Sequence, residues 1–166
     1  MNFQLKKNLP LIATIFVILI AAGAAYYMIS LKKAPYDVAN FKSFSYKWGT
    51  GQQLDNAYDS ESGDYIYLDN QDSLIKSNVK LRANNIIFIH NRISELGFWD
   101  LPSQLGTAKV NSGILRYELQ VNYLEKSKKI VFYADYDDDF NKLDSAKQIM
   151  QVIQSTIDEA ESRYKR

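Results

Sequence analysis

Two kinds of hydrophobic pattern divide this chain. Residues 9 to 31 contain no charged side chain, and about 20 such residues span the hydrocarbon core of a bilayer. After residue 40 the apolar positions recur about every two residues or about every three to four residues, which is typical of strands and helices. The pattern therefore predicts an N-terminal transmembrane helix followed by one globular domain.

A cleaved secretory signal is the alternative interpretation of the apolar stretch. Lys6 and Lys7 precede it as a basic n-region, and small residues at positions 22 to 25 offer a cleavage site. The apolar run nevertheless continues through Tyr26 and Tyr27, and tyrosines suit a membrane interface. We therefore expect a retained, single-pass signal anchor with the domain outside the cytoplasm. Cleavage would instead release a secreted or periplasmic domain.

The charge of the domain differs from that of the whole chain. The total is +1, but residues 1 to 33 contain four lysines and no acidic residue, so the remainder is mildly acidic. A mildly acidic domain without a stripe of Lys and Arg argues against nucleic acid as a partner. The chain has no cysteine, which excludes disulfides and zinc–thiolate sites.

The sequence divides the chain into four expected segments. They are a basic tail (1 to 8), a membrane anchor (9 to 31), a linker (32 to 40) and an extracytoplasmic α+β domain (41 to 166). The anchor makes the membrane an expected partner of the protein.

Alternating segments predict three strands at the start of the domain. Aromatic residues share one face of a strand over residues 42 to 48, which ends at Gly49-Thr50-Gly51. A hairpin follows around residues 60 to 63, and a further strand covers residues 73 to 81. Tight turns between these segments indicate an antiparallel meander.

Helical spacing and a second hairpin complete the domain. Residues 82 to 96 predict a helix that ends at Gly97, a residue type suited to the position after a helix. Residues 117 to 123 and 129 to 134 predict paired strands, and residues 144 to 163 predict a closing helix. The order βββ-α-ββ-α indicates an α+β fold in which an antiparallel sheet carries both helices on one face. The expected core comprises Ile89, Ile93, Leu119, Val121, Ile153 and Ile157, with Trp99 docking the end of the earlier helix.

Several of these segments resemble a known family. Three segments are similar to a family of small secreted or membrane-attached bacterial domains of unknown function. They are the end of the helix over residues 96 to 102, the strand over residues 117 to 123 and the lysine-rich turn into residues 129 to 133. The resemblance covers about residues 41 to 157 and implies an α+β fold without assigned catalytic residues. Family members often carry cysteine or glycine-rich turns after the first strand, whereas Gly49-Thr50-Gly51 stands here without cysteine.

His90 is the only histidine, so any histidine-dependent nucleophilic or metal mechanism requires it. No Ser, Asp or Glu stands beside it in a hydrolase signature, and one imidazole cannot build a histidine metal site. We therefore interpret His90 as a structural residue at the edge of a buried helical stripe.

The densest charge cluster precedes the last helix and consists of Asp135, Asp137, Asp138 and Asp139. Asp135, Asp137 and Asp139 alternate as at the start of a calcium loop, so they are the candidate residues of a weak divalent-cation site. The glycine and glutamate that such a loop requires later are replaced by Phe140 and Ala146. The alternative is an acidic turn in which an aspartate caps the helix.

No cofactor is expected from the sequence. Gly49-Thr50-Gly51 lacks the pattern of a phosphate-binding loop and is not followed by a helix. A hydrolase that uses dispersed carboxylates remains an alternative because two such groups need only meet in space, and 19 acidic residues are available.

Tyrosines on the predicted strands provide the candidate binding residues. Tyr65 and Tyr67 alternate with Ile66 and Leu68. Either one aromatic face of that strand is uncovered while the aliphatic pair supplies the core, or these tyrosines are ordinary core or single surface residues. Exposed tyrosines are common anchors at interfaces. The sequence therefore favours a membrane-tethered, non-enzymatic binding or accessory module of the bacterial envelope, with an envelope protein or a glycan as partner. The alternative is an envelope hydrolase.

Overall fold

The computed structural model describes residues 3–32, 37–50, 54–107 and 113–164, and within the first range it describes side chains for residues 12–27. The chain divides into two units, Met1–Pro35 and Tyr36–Arg166. Some predicted features therefore lie outside the described residues: positions 33–36 of the linker, Gly51 after the first strand, and positions 108–112 of the loop between Pro102 and the second hairpin.

Among the described residues, the first unit contains one helix, α1 (Phe3–Lys32). Within the part of the chain that the structure describes, no helix combines the length and the apolar character needed to cross a membrane. The prediction of an N-terminal transmembrane helix is therefore wrong. The fold is an α+β fold with a seven-stranded sheet, without the predicted membrane-spanning helix.

The second unit holds the sheet and two helices. A short 3₁₀ turn (Val38–Asn40) leads into the first strand. The elements are β1 (Phe41–Thr50), β2 (Asn56–Asp59), β3 (Asp64–Leu68), β4 (Leu74–Asn78), α2 (Ala83–Glu95), β5 (Gln104–Leu105), β6 (Leu115–Tyr123), β7 (Ser127–Tyr133) and α3 (Phe140–Tyr164). The strands lie in the order β4-β3-β2-β1-β6-β7-β5.

The strand order differs from the predicted βββ-α-ββ-α at two places. β2 is the first arm of the hairpin predicted around residues 60 to 63, but the predicted order does not count it as a separate strand between β1 and β3. β5 adds an edge strand that runs parallel to β7. The other described pairings are antiparallel. β5 contains only two residues and is too short to show alternation, which is the signal that identifies a strand in a sequence.

One face of the sheet packs against α2 and α3 and forms the core. Positions alternate along β1, so Phe44 and Tyr46 are buried on this face. A bulge at the start of β1 brings Phe41 to the same face, where its ring meets that of Tyr123 edge-on at 5.5 Å. The six core residues predicted from the sequence are all buried and are confirmed: Ile89, Ile93, Leu119, Val121, Ile153 and Ile157.

The end of α2 is formed as the sequence predicts. Gly97 adopts φ +73°, and the amides of Gly97 and Phe98 donate to the carbonyls of Ser94 and Ile93. This is the Schellman arrangement that satisfies the last carbonyls of a helix. Trp99 then packs edge-on against Tyr123, with ring centroids 5.4 Å apart.

The opposite face of the sheet is not covered by α2 or α3 and carries mainly polar side chains. A row of charged side chains crosses this face. Glu118 on β6 pairs with Lys47 on β1 and lies next to Lys129 on β7. Lys129 Nζ is 2.6 Å from a carboxylate oxygen of Glu118. Tyr133 shares this face, since it alternates with Phe132 on the core side.

Candidate functional site

Two adjoining clefts separate α3 from one end of the sheet. The first, of about 420 Å³, is lined by rings of β1, β6 and β7. The second, of about 380 Å³, is lined by side chains of β3 and of the turn after it. Trp48, Gln154 and Asp158 line both clefts. We name the pair the aromatic groove, and its parts the β6 cleft and the β3 cleft.

The β6 cleft is lined by a row of nearly parallel rings. Tyr46 stacks on Trp48 with centroids 4.7 Å apart and planes 23° apart. Tyr117 continues the row at 6.3 Å and 10° from Tyr46, and Phe132 lies 5.8 Å and 16° from Tyr117. The row arises because Trp48 pairs with Tyr117 across β1 and β6, and Tyr117 pairs with Phe132 across β6 and β7. Side chains at paired positions share one face of a sheet.

The opposite wall is a polar stripe of α3. Gln154 and Asp158 are four residues apart on the helix, so they share one side of it. Gln154 Nε2 donates to Asp158 Oδ1 over 2.8 Å and to the Tyr65 hydroxyl over 3.0 Å. The Tyr65 hydroxyl in turn donates to Asp158 Oδ1 over 3.1 Å. These three bonds hold the polar wall in one geometry against the rings.

Glu161 continues the stripe at the far end of the β3 cleft. Its carboxylate accepts the hydroxyl of Tyr67 over 3.1 Å and that of Ser77 over 3.3 Å. The residue is only 9% exposed. A buried carboxylate depends on hydrogen bonds for its stability, so Tyr67 and Ser77 help to hold this charge at the edge of the groove.

The Tyr65 hydroxyl stays protonated across the physiological range. Burial raises its pKa far above the usual value, and the negative charge of Asp158 raises it further. The Tyr65 hydroxyl therefore keeps its proton, donates a hydrogen bond to Asp158 and does not act as a base.

Tyr65 and Tyr67 lie on the face opposite to the one expected from the sequence. They point toward α3, and Tyr65 is only 3% exposed. Ile66 alternates onto the other face, and Leu68, at the end of the strand, is 37% exposed and lies at the rim of the β3 cleft. The expectation that the aliphatic pair supplies the core is wrong, because alternation shows that two faces exist without showing which one a helix covers.

The α3 side of the groove was missed by the sequence analysis. Gln154, Asp158 and Glu161 recur at helical spacing, and this is the signal that could have marked a polar stripe beside the apolar face. Nothing in the spacing indicates that the stripe faces a row of aromatic rings, since that contact depends on how α3 crosses the sheet.

Asp139, one of the three candidate cation ligands, caps the start of α3. Asp139 Oδ1 accepts the backbone amides of Asn141 and Lys142 over 3.0 and 3.2 Å, which is a helix cap. Its other oxygen lies 2.8 Å from Lys142 Nζ, and the hydrogen bond from Lys142 lowers the pKa of Asp139. Across residues 37–50, 54–107 and 113–164, which include Asp135 and Asp137, no three His, Asp or Glu side chains are grouped to hold a metal ion.

His90 is buried between α2 and the end of β6. Its Nδ1 shares a hydrogen bond with the Tyr123 hydroxyl over 2.5 Å, and the residue is 5% exposed. Burial lowers the pKa of the imidazole, with the negative charge of Asp37 acting in the opposite direction. This environment agrees with the interpretation of His90 as a structural residue.

Acidification should therefore destabilise the domain through His90. The unfolded chain takes up a proton near pH 6.5, whereas the folded state does so only at lower pH, so stability falls as the pH drops below about 6.5. We expect the stability advantage of the wild type over His90→Gln to shrink from about pH 8 to about pH 5 in urea unfolding. Contributions of carboxylates that do not interact with His90 cancel in this difference. A difference that is constant with pH would contradict a buried, neutral imidazole.

Comparison with known proteins returns no relative: no family model, curated protein or solved structure matches this chain. The resemblance to small secreted or membrane-attached bacterial domains stays a prediction.

Proposed function

We propose that this domain is a non-catalytic binding module that takes a glycan in the aromatic groove. The observation that carries the proposal is the pair of partly exposed rings of Trp48 and Tyr117, set across a cleft from the amide and carboxylate of Gln154 and Asp158. The buried ring of Tyr46 supports both from behind. A sugar ring has apolar faces and hydroxyl groups at its edges. The aromatic wall can pack against the faces, and the polar wall of α3 can form hydrogen bonds with the hydroxyl groups. Apolar clefts with few, well-placed polar groups are typical of ligand sites.

The size of the groove favours a glycan over a folded protein partner. Its clefts measure about 420 and 380 Å³, within the range of about 300 to 1,000 Å³ that is usual for ligand pockets. A stable protein interface instead covers about 800 Å² on each partner. A concave site that receives one or two sugar rings therefore fits these clefts better than a broad contact surface does.

The position of the carboxylates supports binding without catalysis. Asp158 and Glu161 are three residues apart on α3, so both belong to the same wall of the groove. Glycosidases place their two carboxylates on either side of the bond that they cleave. This pair on a single wall can orient hydroxyl groups without flanking a glycosidic bond. The third carboxylate of the cleft, Asp69, accepts the backbone amides of Gln71 and Ser73 within its own turn.

Fluorescence of Trp48 provides a direct test. In a Trp99→Phe background Trp48 is the sole tryptophan, and titration with a panel of oligosaccharides should give a saturable change for at least one of them. Tyr117→Ala should weaken that binding about tenfold, because an aromatic contact contributes about 0.5 to 1.5 kcal/mol beyond its buried area. Tyr133→Ala, on the opposite face of the neighbouring strand, should leave the affinity unchanged.

Two results would contradict this function. One is a panel in which no glycan changes the fluorescence of Trp48, and the other is an equal loss of affinity in Tyr117→Ala and Tyr133→Ala. Chromatography of the bound glycan after prolonged incubation separates binding from catalysis, since cleavage products would favour the hydrolase alternative.

A further inference from the structure

We infer that the ligand of the aromatic groove carries a positively charged organic group, which binds in the β3 cleft beside Asp158 and against the partly exposed rings of Tyr67 and Trp48. The inference rests on the proposed function and adds the charge of the ligand to it. Two features of the β3 cleft lead to this assignment, the sign of its charges and the arrangement of its rings.

The described lining of the β3 cleft is acidic. Three carboxylates line it, those of Asp69, Asp158 and Glu161, and no Lys or Arg is among the described residues that line it. Asp158 receives its hydrogen bonds from Tyr65 and Gln154, which are neutral donors and leave its negative charge in place. Charges of one sign in a cleft with low-dielectric walls attract a ligand of the opposite sign.

Aromatic rings of the same cleft favour an organic cation. The partly exposed rings of Tyr67 and Trp48 line the cleft. Each packs on the buried ring of Tyr65, with centroids 4.7 and 6.2 Å away. The faces of such rings are electron-rich and attract an ammonium group within about 6 Å. The combination of rings and carboxylates is the one that proteins use for substituted ammonium groups.

A metal ion fits this cleft less well than an ammonium group. A metal requires several ligands at short, defined distances, and the described side chains include no set of three acidic or histidine residues grouped in that way. A substituted ammonium needs only electron-rich surroundings and nearby negative charge. An amino sugar with a free amine is a glycan that meets this requirement.

The effect of the positive charge is isolated by comparing the affinities of choline and its uncharged isostere. In the isostere, carbon replaces the ammonium nitrogen. With Trp99→Phe protein and Trp48 fluorescence, we expect choline to bind at least about fivefold more tightly than the isostere, because only choline gains a cation–ring attraction. Asp158→Asn removes one negative charge and keeps an oxygen that accepts the Tyr65 hydroxyl, so it should weaken choline binding about threefold or more.

Glu159→Gln is the matched control. It removes the same charge from the adjacent position of α3, where Glu159 is exposed and pairs with Arg163 over 3.2 Å, and Glu159 does not line the groove. Its affinity for choline should equal that of the unchanged protein. Equal binding of choline and the isostere, no binding of choline, or equal losses in Asp158→Asn and Glu159→Gln would each overturn the inference. Glycan binding that depends on Tyr117 would still stand in those cases, so the two proposals fail separately.

Discussion

Replacing Leu119 or Ile153 with alanine should lower the free energy of unfolding by about 2 to 5 kcal/mol. Both side chains are completely buried. Leu119 lies on β6, which has a neighbouring strand on each side, and Ile153 lies in the middle of α3. Each substitution leaves a cavity between rigid elements, and such cavities cost free energy because the surrounding side chains relax only partly.

Denaturant unfolding at neutral pH measures this effect, with Leu124→Ala as the control. Leu124 is 73% exposed in the turn between β6 and β7, so its truncation should change the free energy of unfolding by less than about 0.5 kcal/mol. Neutral behaviour of both Leu119→Ala and Ile153→Ala would mean that α3 does not pack on β6.

Tyr65→Ser should destabilise the domain by about 3 kcal/mol or more, while Tyr65→Phe should cost only about 1 kcal/mol. Serine removes a buried ring that contacts the rings of Trp48 and Tyr58. Phenylalanine keeps those contacts and loses only the hydrogen bonds to Asp158 and Gln154. If Tyr65 lay on an uncovered face, as one interpretation of the sequence holds, both substitutions would leave the free energy of unfolding nearly unchanged.

The two tyrosine variants are compared by urea unfolding, with Leu68→Ser as the matched control. Leu68 lies on the same strand and its side chain is 37% exposed, so its replacement should have a much smaller effect. A Tyr65→Ser protein as stable as the wild type would show that α3 does not cover β3, and the β3 cleft would then lose its second wall.

The sequence predicts the parts of this fold that depend on local patterns. Gly97 ends α2 because a left-handed residue follows a helix with little strain when it is glycine. The stripe that contains Ile89 and Ile93 identifies the buried side of the same helix. The alternation over β6 likewise identifies Leu119 and Val121 as core residues.

The features that were missed depend on contacts between distant segments. β5 contains two residues and is defined only by its pairing with β7. The faces of β3 were assigned in reverse because Tyr65 and Ile66 are both compatible with burial, and the choice depends on where α3 lies. The aromatic groove combines rings from β1, β6 and β7 with a polar stripe of α3, so no single stretch of sequence contains it.

Side-chain NMR signals test the central claim, that ligand binds in the aromatic groove, most directly. Gln154 carries its amide in the groove, whereas Gln120 carries its amide on the opposite face of the sheet, where it donates to Asn122 over 2.9 Å. Titration of ¹⁵N-labelled protein with the tightest glycan of the panel should shift the Gln154 amide and the Trp48 indole signals in proportion to occupancy. The signals of Gln120 and Trp99 should stay in place. Saturable shifts at Gln120 with none at Gln154 would place the ligand on the other face of the sheet and contradict the account.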